Sequence, residues 1–360
     1  MKIAVSTLSD VSMNEGTSVR AKRVFELLQK KYDCTLIIRG GHRSKSEKVV
    51  VISPSKLWNF QLIPVVLKNR FDLIYCSNDF WGFLTYFTLA RLWTCKVIFE
   101  AHGILSVERE YSLSAPGPVD KVRIKVRQWR EKFVVKHADC VIALSLDIFN
   151  FYRRFNNDIV LIPVFLDEQR FKPQESSNER TSDHTKEKFV GVIGPFIQGN
   201  INNYFLDFVF RNLGAFDEHI KFIIIGECDH KPRNARVRYT GYLRDVQEYV
   251  DQLTLLDAVL VPSKFPSFGP LNKILEPMAC SLPVFTTTPG AVGLEHIRPG
   301  ENIFICDESE IVAKVNESLF DVELMERVGK NARRTIETYY GTEVNNKKLI
   351  EVIERLGTPS

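Results

Sequence analysis

Apolar and polar positions along this chain alternate between two regimes. Short continuous apolar runs recur, KIAVST, CTLIIR, KVVVIS, LIYCS, KVIFEAH, CVIALS and DIVLIPV, and between several of them lie stretches with helical spacing such as VRAKRVFELLQK. Continuous apolar runs suit strands covered on both faces, and their alternation with amphipathic helices predicts a parallel sheet with helices on its faces. After residue 188 the cycle begins again with FVGVIG, KFIIIGE, VRYTG, AVLVPS, PVFTTT and NIFICD, separated by NYFLDFVFRNL, DVQEYVDQLTLL and LNKILEPMA. The fold class expected is therefore α/β, with two doubly wound, Rossmann-like domains.

Between the two cycles, QESSNERTSDHTKEK is polar throughout and reads as a solvated linker. The expected organisation is a first domain at residues 1–173, the linker at 174–188, a second domain at 189–340 and a closing helix at 341–360. The C-terminal stretch holds two helical patterns broken around Gly341, too late in the chain for another sheet, and is expected to pack across both halves. Two open α/β domains facing one another leave a cleft at the carboxyl ends of their strands, which is the expected active site.

Composition narrows the classes of function. Of 360 residues 44% are hydrophobic and 26% charged, with 25 phenylalanines, which excludes a disordered chain. A formal charge of +4 is too small for a general nucleic-acid binder, so no nucleic-acid partner is expected. Seven scattered cysteines without a Cys-x-x-Cys argue against a disulfide framework or a zinc site, and for a reducing cytosol. MKIAVSTLSD enters a strand at once and does not read as a signal peptide, and no apolar run reaches the ~18–20 residues that span a bilayer. The apolar segment 80–93, interrupted by Arg91, is expected to be a buried or interfacial helix.

Candidate chemistry sits where strands hand over to helices. Gly16 precedes the first long helix, where free amides and the helix dipole favour a phosphate, although a glycine that merely permits a tight turn fits equally well. His102, at the end of KVIFEAHG, is either a satisfied structural histidine or, as its place at a strand's mouth favours, a group that exchanges a proton near neutral pH. Gly194 ends another strand, and Gly241 and Tyr242 follow a third, with Asp245 a plausible N-cap for the next helix. Gly269 and Pro270 suit a helix start, so the amides near Leu271, Asn272 and Lys273 and the Lys273 ammonium would receive a diphosphate. Glu276, two turns in, either accepts hydrogen bonds from vicinal ribose hydroxyls or simply faces solvent. A basic amphipathic segment at 121–136 carries Val122, Val126, Trp129 and Phe133 on one stripe among seven lysines and arginines. It fits either an anionic membrane surface or a stripe packed on the sheet with solvated charges.

The order of these pieces resembles the retaining glycosyltransferases of family four, which have the GT-B fold. The pieces are Gly16 before the first helix, FDLIYCS with LARLWTCKVIFEAHG, HADCVIALS, VLIPVFLDEQRFKP, RVRYTGYLRDVQEYV, AVLVPS, NKILEPMACSLPVFTT, AVGLEHIRPGENIFICD and ERVGKNARRTIETYYG. The resemblance implies transfer of a sugar from a nucleotide-diphosphate sugar to a hydroxyl of a lipid-linked or glycan acceptor, with no cofactor and no metal; no Asp-x-Asp occurs. It implies that Glu276 binds ribose, His102 lies beside the reaction centre and Gly16 lies near the diphosphate. Cytoplasmic placement, peripheral at the inner membrane face, is the matching expectation. The sequence departs from the family pattern in four places. Phe268 stands where a first glutamate is common, GPFIQGNINN lacks the usual Arg and Lys, and Pro277 replaces an alanine while IPVF replaces an Ile-Pro-Asn-Gly turn. These departures motivate an alternative, a non-catalytic GT-B-like protein that binds nucleotide-sugar or a partner; a nucleotide-sugar epimerase fits the motif order less well.

Overall fold

The computed structural model describes residues 1–7, 16–40, 48–53, 58–113, 116–173, 187–198, 200–243 and 245–357. The loop ahead of Gly16 and the polar stretch 174–186 lie outside the described residues. The chain divides into two compact units, residues 1–164 with 345–360, and residues 165–344.

The first unit contains β1 (Lys2–Thr7), α1 (Gly16–Leu28), β2 (Asp33–Arg39), β3 (Val49–Ile52), α2 (Trp58–Asn69), β4 (Leu73–Ser77), α3 (Phe80–Ala90) and β5 (Lys96–Ala101). It continues with α4 (Leu105–Tyr111), α5 (Pro118–His137), β6 (Cys140–Ala143), α6 (Leu146–Tyr152) and β7 (Ile159–Leu161). The seven strands pair in parallel in the order β3-β2-β1-β4-β5-β6-β7. β4 and β6 are buried along their whole length, as continuous apolar runs require. Strand order reverses between β1 and β4, the position at which an open sheet leaves a crevice beyond its carboxyl ends.

The second unit contains β8 (Lys188–Ile193), α7 (Asn203–Asn212), β9 (Ile220–Ile225), β10 (Val237–Gly241), α8 (Val246–Leu253), β11 (Ala258–Val261), α9 (Asn272–Ala279) and β12 (Val284–Thr287). Then come α10 (Thr288–Ala291), β13 (Phe304–Cys306), α11 (Ile311–Ser318), α12 (Val322–Thr335) and a π-helical turn, Ile336–Tyr340. Its six parallel strands run β10-β9-β8-β11-β12-β13, with the reversal between β8 and β11. The final helix, α13 (Thr342–Gly357), has its residues from Asn345 onward in the first unit. There it buries Leu349, Val352 and Ile353, and Arg355 pairs with Asp158 at 2.6 Å.

Local sequence explains the helix ends. Asp79 accepts from the Gly82 amide at 2.6 Å, Asp245 from Glu248 at 2.8 Å and Asp321 from Leu324 at 3.0 Å, three carboxylates on the orphan amides of α3, α8 and α12. α3 buries Phe80, Phe83 and Tyr86, and among the described residues no helix is long and apolar enough to cross a membrane. On α5 three of the four stripe residues are left uncovered, while Phe133 is half-buried with its ring 5.7 Å from that of Phe87 on α3. Val122, Val126 and Trp129 are 61%, 53% and 63% exposed, and the buried face is instead Ile124, Glu131, Val134 and Val135. All seven cysteines are unpaired thiols.

Candidate functional site

In the second unit, three glycines converge at the carboxyl ends of β8, β9 and β10. Gly194 follows β8, and its amide donates to the Ile225 carbonyl at 2.8 Å. Gly226 follows β9 with φ +116°, and a Cβ on it would lie 3.7 Å from the Gly194 Cα. Gly241 ends β10 with φ +75° and bridges to Gly226. Positive φ is what selects glycine at the last two positions. Gly226 was not singled out from the sequence, although KFIIIGE carries the same strand-then-glycine signal as FVGVIG. Tyr242, one residue past Gly241, is 59% exposed and presents an aromatic face to solvent.

The loop leaving β8 contains a cis Gly194–Pro195 bond and reaches α7 through Asn202. Asn202 is buried, with its amide donating to the Pro195 carbonyl at 3.2 Å and its Oδ1 accepting from Lys273 Nζ at 2.5 Å. Lys273 also lies over the Phe205 ring, 4.9 Å from its centroid. α9 therefore delivers a cation to the loop whose own sequence lacks one. Burial pushes the Lys273 ammonium down to about 7, against the charge of Glu276 one turn further on.

α9 begins two residues later than expected. Leu271 is its N-cap, without a side-chain cap bond, so Pro270 stands outside the helix rather than at its first position. Asn272 and Lys273 are its first two residues, while the next amides, of Ile274 and Leu275, already bond to the Leu271 carbonyl. Gly269 is buried, and its carbonyl accepts from Ser267 Oγ at 3.0 Å. Glu276 is half-buried. Burial raises the Tyr249 phenol well above its ordinary range, and the nearby Glu276 charge raises it further. At the other end of α9, Arg333 of α12 donates to the Ala279 carbonyl at 2.6 Å, to the Glu168 carbonyl at 2.9 Å and to that of Phe171. The loop ahead of α9 meets Gly293 (φ +80°), where a Cβ would lie 2.5 Å from the Phe268 carbonyl oxygen.

In the first unit, alternate residues of two neighbouring strands share one face. Ser77 of β4 is in register with Glu100 of β5, which sets Tyr75 and Ser77 beside Glu100, with His102 just past the strand. Glu100 is fully buried, and three side-chain donors reach its carboxylate. Arg20 of α1 reaches Oε2 through Nε and Nη2, both at 2.8 Å, and the Tyr75 hydroxyl donates to the same oxygen. Ser77 Oγ donates to Oε1 at 2.9 Å, and His102 Nε2 lies 2.7 Å from Oε1 and 3.1 Å from Ser77 Oγ. Burial alone would raise the Glu100 carboxyl, but Arg20 and then His102 outweigh it and hold the group below the usual carboxylate range. The His102 side chain is 13% exposed, so its ring is not fully enclosed. Gly16 opens α1, four residues before Arg20.

Thus Gly194, Gly241, Tyr242, Gly269, Leu271, Asn272, Lys273 and Glu276 fall at strand ends and the α9 start of the second unit, and His102 and Gly16 belong to the first. The pairings of Arg20 with Glu100 and of Asn202 with Lys273 join residues 80 and 71 positions apart, which no local pattern marks.

Two units, each a doubly wound parallel sheet with helices on its faces, make this a GT-B fold. The family description "Glycosyltransferase Family 4" matches residues 16–170, and "Glycosyl transferases group 1" matches residues 187–321. The chain belongs to this family of glycosyltransferases. No curated protein matches it significantly by sequence. Among solved structures, sucrose-phosphate synthase from Thermosynechococcus elongatus superposes with a TM-score of 0.79 at 17% identity, covering 99% of this chain and 98% of that one. HepE of Anabaena, solved with UDP-glucose, gives 0.75 at 15% identity over 99% and 100%. WaaG, a glycosyltransferase of lipopolysaccharide biosynthesis, gives 0.71 at 13% identity over 98% and 99%. At these identities the likeness is one of fold.

Proposed function

We propose that the chain is a retaining, metal-independent hexosyltransferase that moves a sugar from a nucleotide-diphosphate sugar to a hydroxyl of a lipid-linked or glycan acceptor. The observation that carries the reading is Lys273. A cation from the start of α9 held at Asn202, beside strand ends opened by Gly194, Gly226 and Gly241, is what an anionic diphosphate needs once the usual loop cations are missing. Exposed Tyr242 offers a face on which a base stacks, and Glu276 offers a carboxylate for ribose hydroxyls. The leaving diphosphate takes the acceptor proton, with its growing charge stabilised by Lys273 and the first amides of α9. The UDP-glucose bound to HepE belongs to that protein and makes UDP-sugars the first donors to try.

The same reading sets the protein at a membrane. The exposed Val119, Val122, Val126 and Trp129 of α5 are surrounded by exposed Lys121, Arg123 and Lys125, an apolar stripe with flanking cations that suits an anionic cytoplasmic leaflet.

The test is incubation of the purified protein with UDP-glucose, UDP-galactose, UDP-N-acetylglucosamine and GDP-mannose, with and without lipid extract, scoring nucleoside diphosphate release and the anomeric configuration of the product. Release with a retained anomer in EDTA is expected. An inverted product, or release abolished by EDTA and restored by a divalent metal, would overturn the retaining or metal-independent part. Binding without release under every condition supports the non-catalytic alternative.

A further inference from the structure

We propose that Glu100 is the positioning residue of His102, setting which ring nitrogen faces the substrate. The inference rests on the placement of His102 beside the reaction centre that the family resemblance implies, and its first observable does not depend on it. Glu100 lies two residues before His102 on the same face of the sheet, wholly buried, with Arg20 and Tyr75 on one oxygen and Ser77 and His102 on the other. Donors on both oxygens and the buried guanidinium keep it an anion, and an ionised carboxylate only accepts hydrogen bonds. The proton shared by Nε2 and Oε1 therefore belongs to nitrogen. Ser77 spends its own proton on Oε1, so at 3.1 Å its oxygen can only accept from the same Nε2–H. Neutral His102 is consequently the Nε2–H tautomer, and Nδ1 is left with its lone pair as the hydrogen-bond acceptor for a substrate hydroxyl.

A buried ion pair alone is weak evidence of function, since many serve packing. Three features distinguish this one. The carboxylate sits one residue before the end of β5, its second oxygen is committed to a partly exposed histidine, and Arg20 comes from the helix that Gly16 opens. The groups around the pair are Arg20 from α1, Tyr75 and Ser77 from β4, and Glu100 itself from β5.

Ring 15N shifts of His102, assigned by comparison with His102→Gln in histidine-labelled full-length protein, test the tautomer directly. Wild type should show a protonated Nε2 and an unprotonated Nδ1 above the ring's titration. Glu100→Gln should show mixed tautomers, and so should the double variant Arg20→Gln with Glu100→Gln, which removes both buried charges together and guards against misfolding of the single one. With UDP-glucose as the probe, kcat for nucleotide release should fall on the order of 10- to 100-fold, the size such orienting partners are worth, with donor KM within about twofold. An unchanged tautomer in the folded variants, or an unchanged kcat in the double variant, would overturn the proposal. If wild type shows the expected tautomer and its loss in the variants but releases no nucleotide from any donor, the positioning stands and the catalytic reading of His102 falls.

Discussion

At the scale of single residues, burial of the Lys273 ammonium couples stability to pH. Its ordinary value is 10.5 and in the fold it drops to about 7. Below pH 7 the folded protein carries a buried cation at full cost, and its stability rises as pH climbs from about 7 towards 10.5, because the unfolded chain then holds a proton the folded one has lost. Lys273→Met should therefore raise the melting temperature more at pH 6 than at pH 10, measured calorimetrically; the opposite order would mean that Lys273 is not held charged against burial. The same variant should weaken binding of UDP at pH 6 by about 1.5–3 kcal/mol, the worth of a charged hydrogen bond. Wild-type affinity should decline as pH rises through about 7, a decline the variant lacks. Glu276→Ala should weaken UDP binding by ~1–3 kcal/mol in calorimetric titration, and unchanged affinity would remove it from the ribose site. Lys273 and Glu276 were legible as candidates from a helix start and its first turns. Their partners Asn202 and Tyr249 were not, since these come from the loop before α7 and from α8 respectively.

At the scale of elements, α9 is held by tight neighbours rather than by its own propensity, being eight residues long with Pro277 inside it. Arg333 occupies its last carbonyl, that of Ala279, and a Cβ at Gly329 of α12 would lie 2.1 Å from the Ser281 carbonyl oxygen just past its end. Gly293→Ala places a Cβ where φ is +80° and the Phe268 oxygen is 2.5 Å away. It should lower stability by about 1–3 kcal/mol in urea unfolding and raise donor KM, as the backbone ahead of α9 is displaced. For α5 the exposed stripe leads to a different expectation. Val126→Glu with Trp129→Glu should reduce cosedimentation with phosphatidylglycerol vesicles and leave the melting temperature nearly unchanged, because neither side chain is buried. The spacing of that stripe was readable from sequence. Its direction was not, because Ile124, Val134 and Val135 form a second apolar face and only packing decides which one is covered.

At the scale of the whole molecule, the chain's end returns to its beginning. Arg355 meets Asp158, Lys31 pairs with Glu354, and the last helix buries Leu349, Val352 and Ile353 in the first unit. Removing residues 345–360 should accordingly destabilise the first unit by several kcal/mol, at about 1.5–3 kcal/mol for each large apolar side chain uncovered. Hydrogen exchange should quicken in β6 and β7 with β8 to β13 unaffected, and equal loosening of both sheets would contradict the assignment of α13.

Local periodicity suffices for the two strand–helix cycles, the parallel sheets and the places where the strands end, because each follows from local burial on one or both faces. It also determined Gly194, Gly241 and His102 as strand-end residues. Only tertiary structure decided that Arg20 charges Glu100 across eighty positions of sequence, that Lys273 supplies the cation missing from the loop after β8, and that α13 belongs with the first sheet. Those outcomes depend on which buried charges and apolar faces find one another in space, and no local pattern of residues encodes that choice.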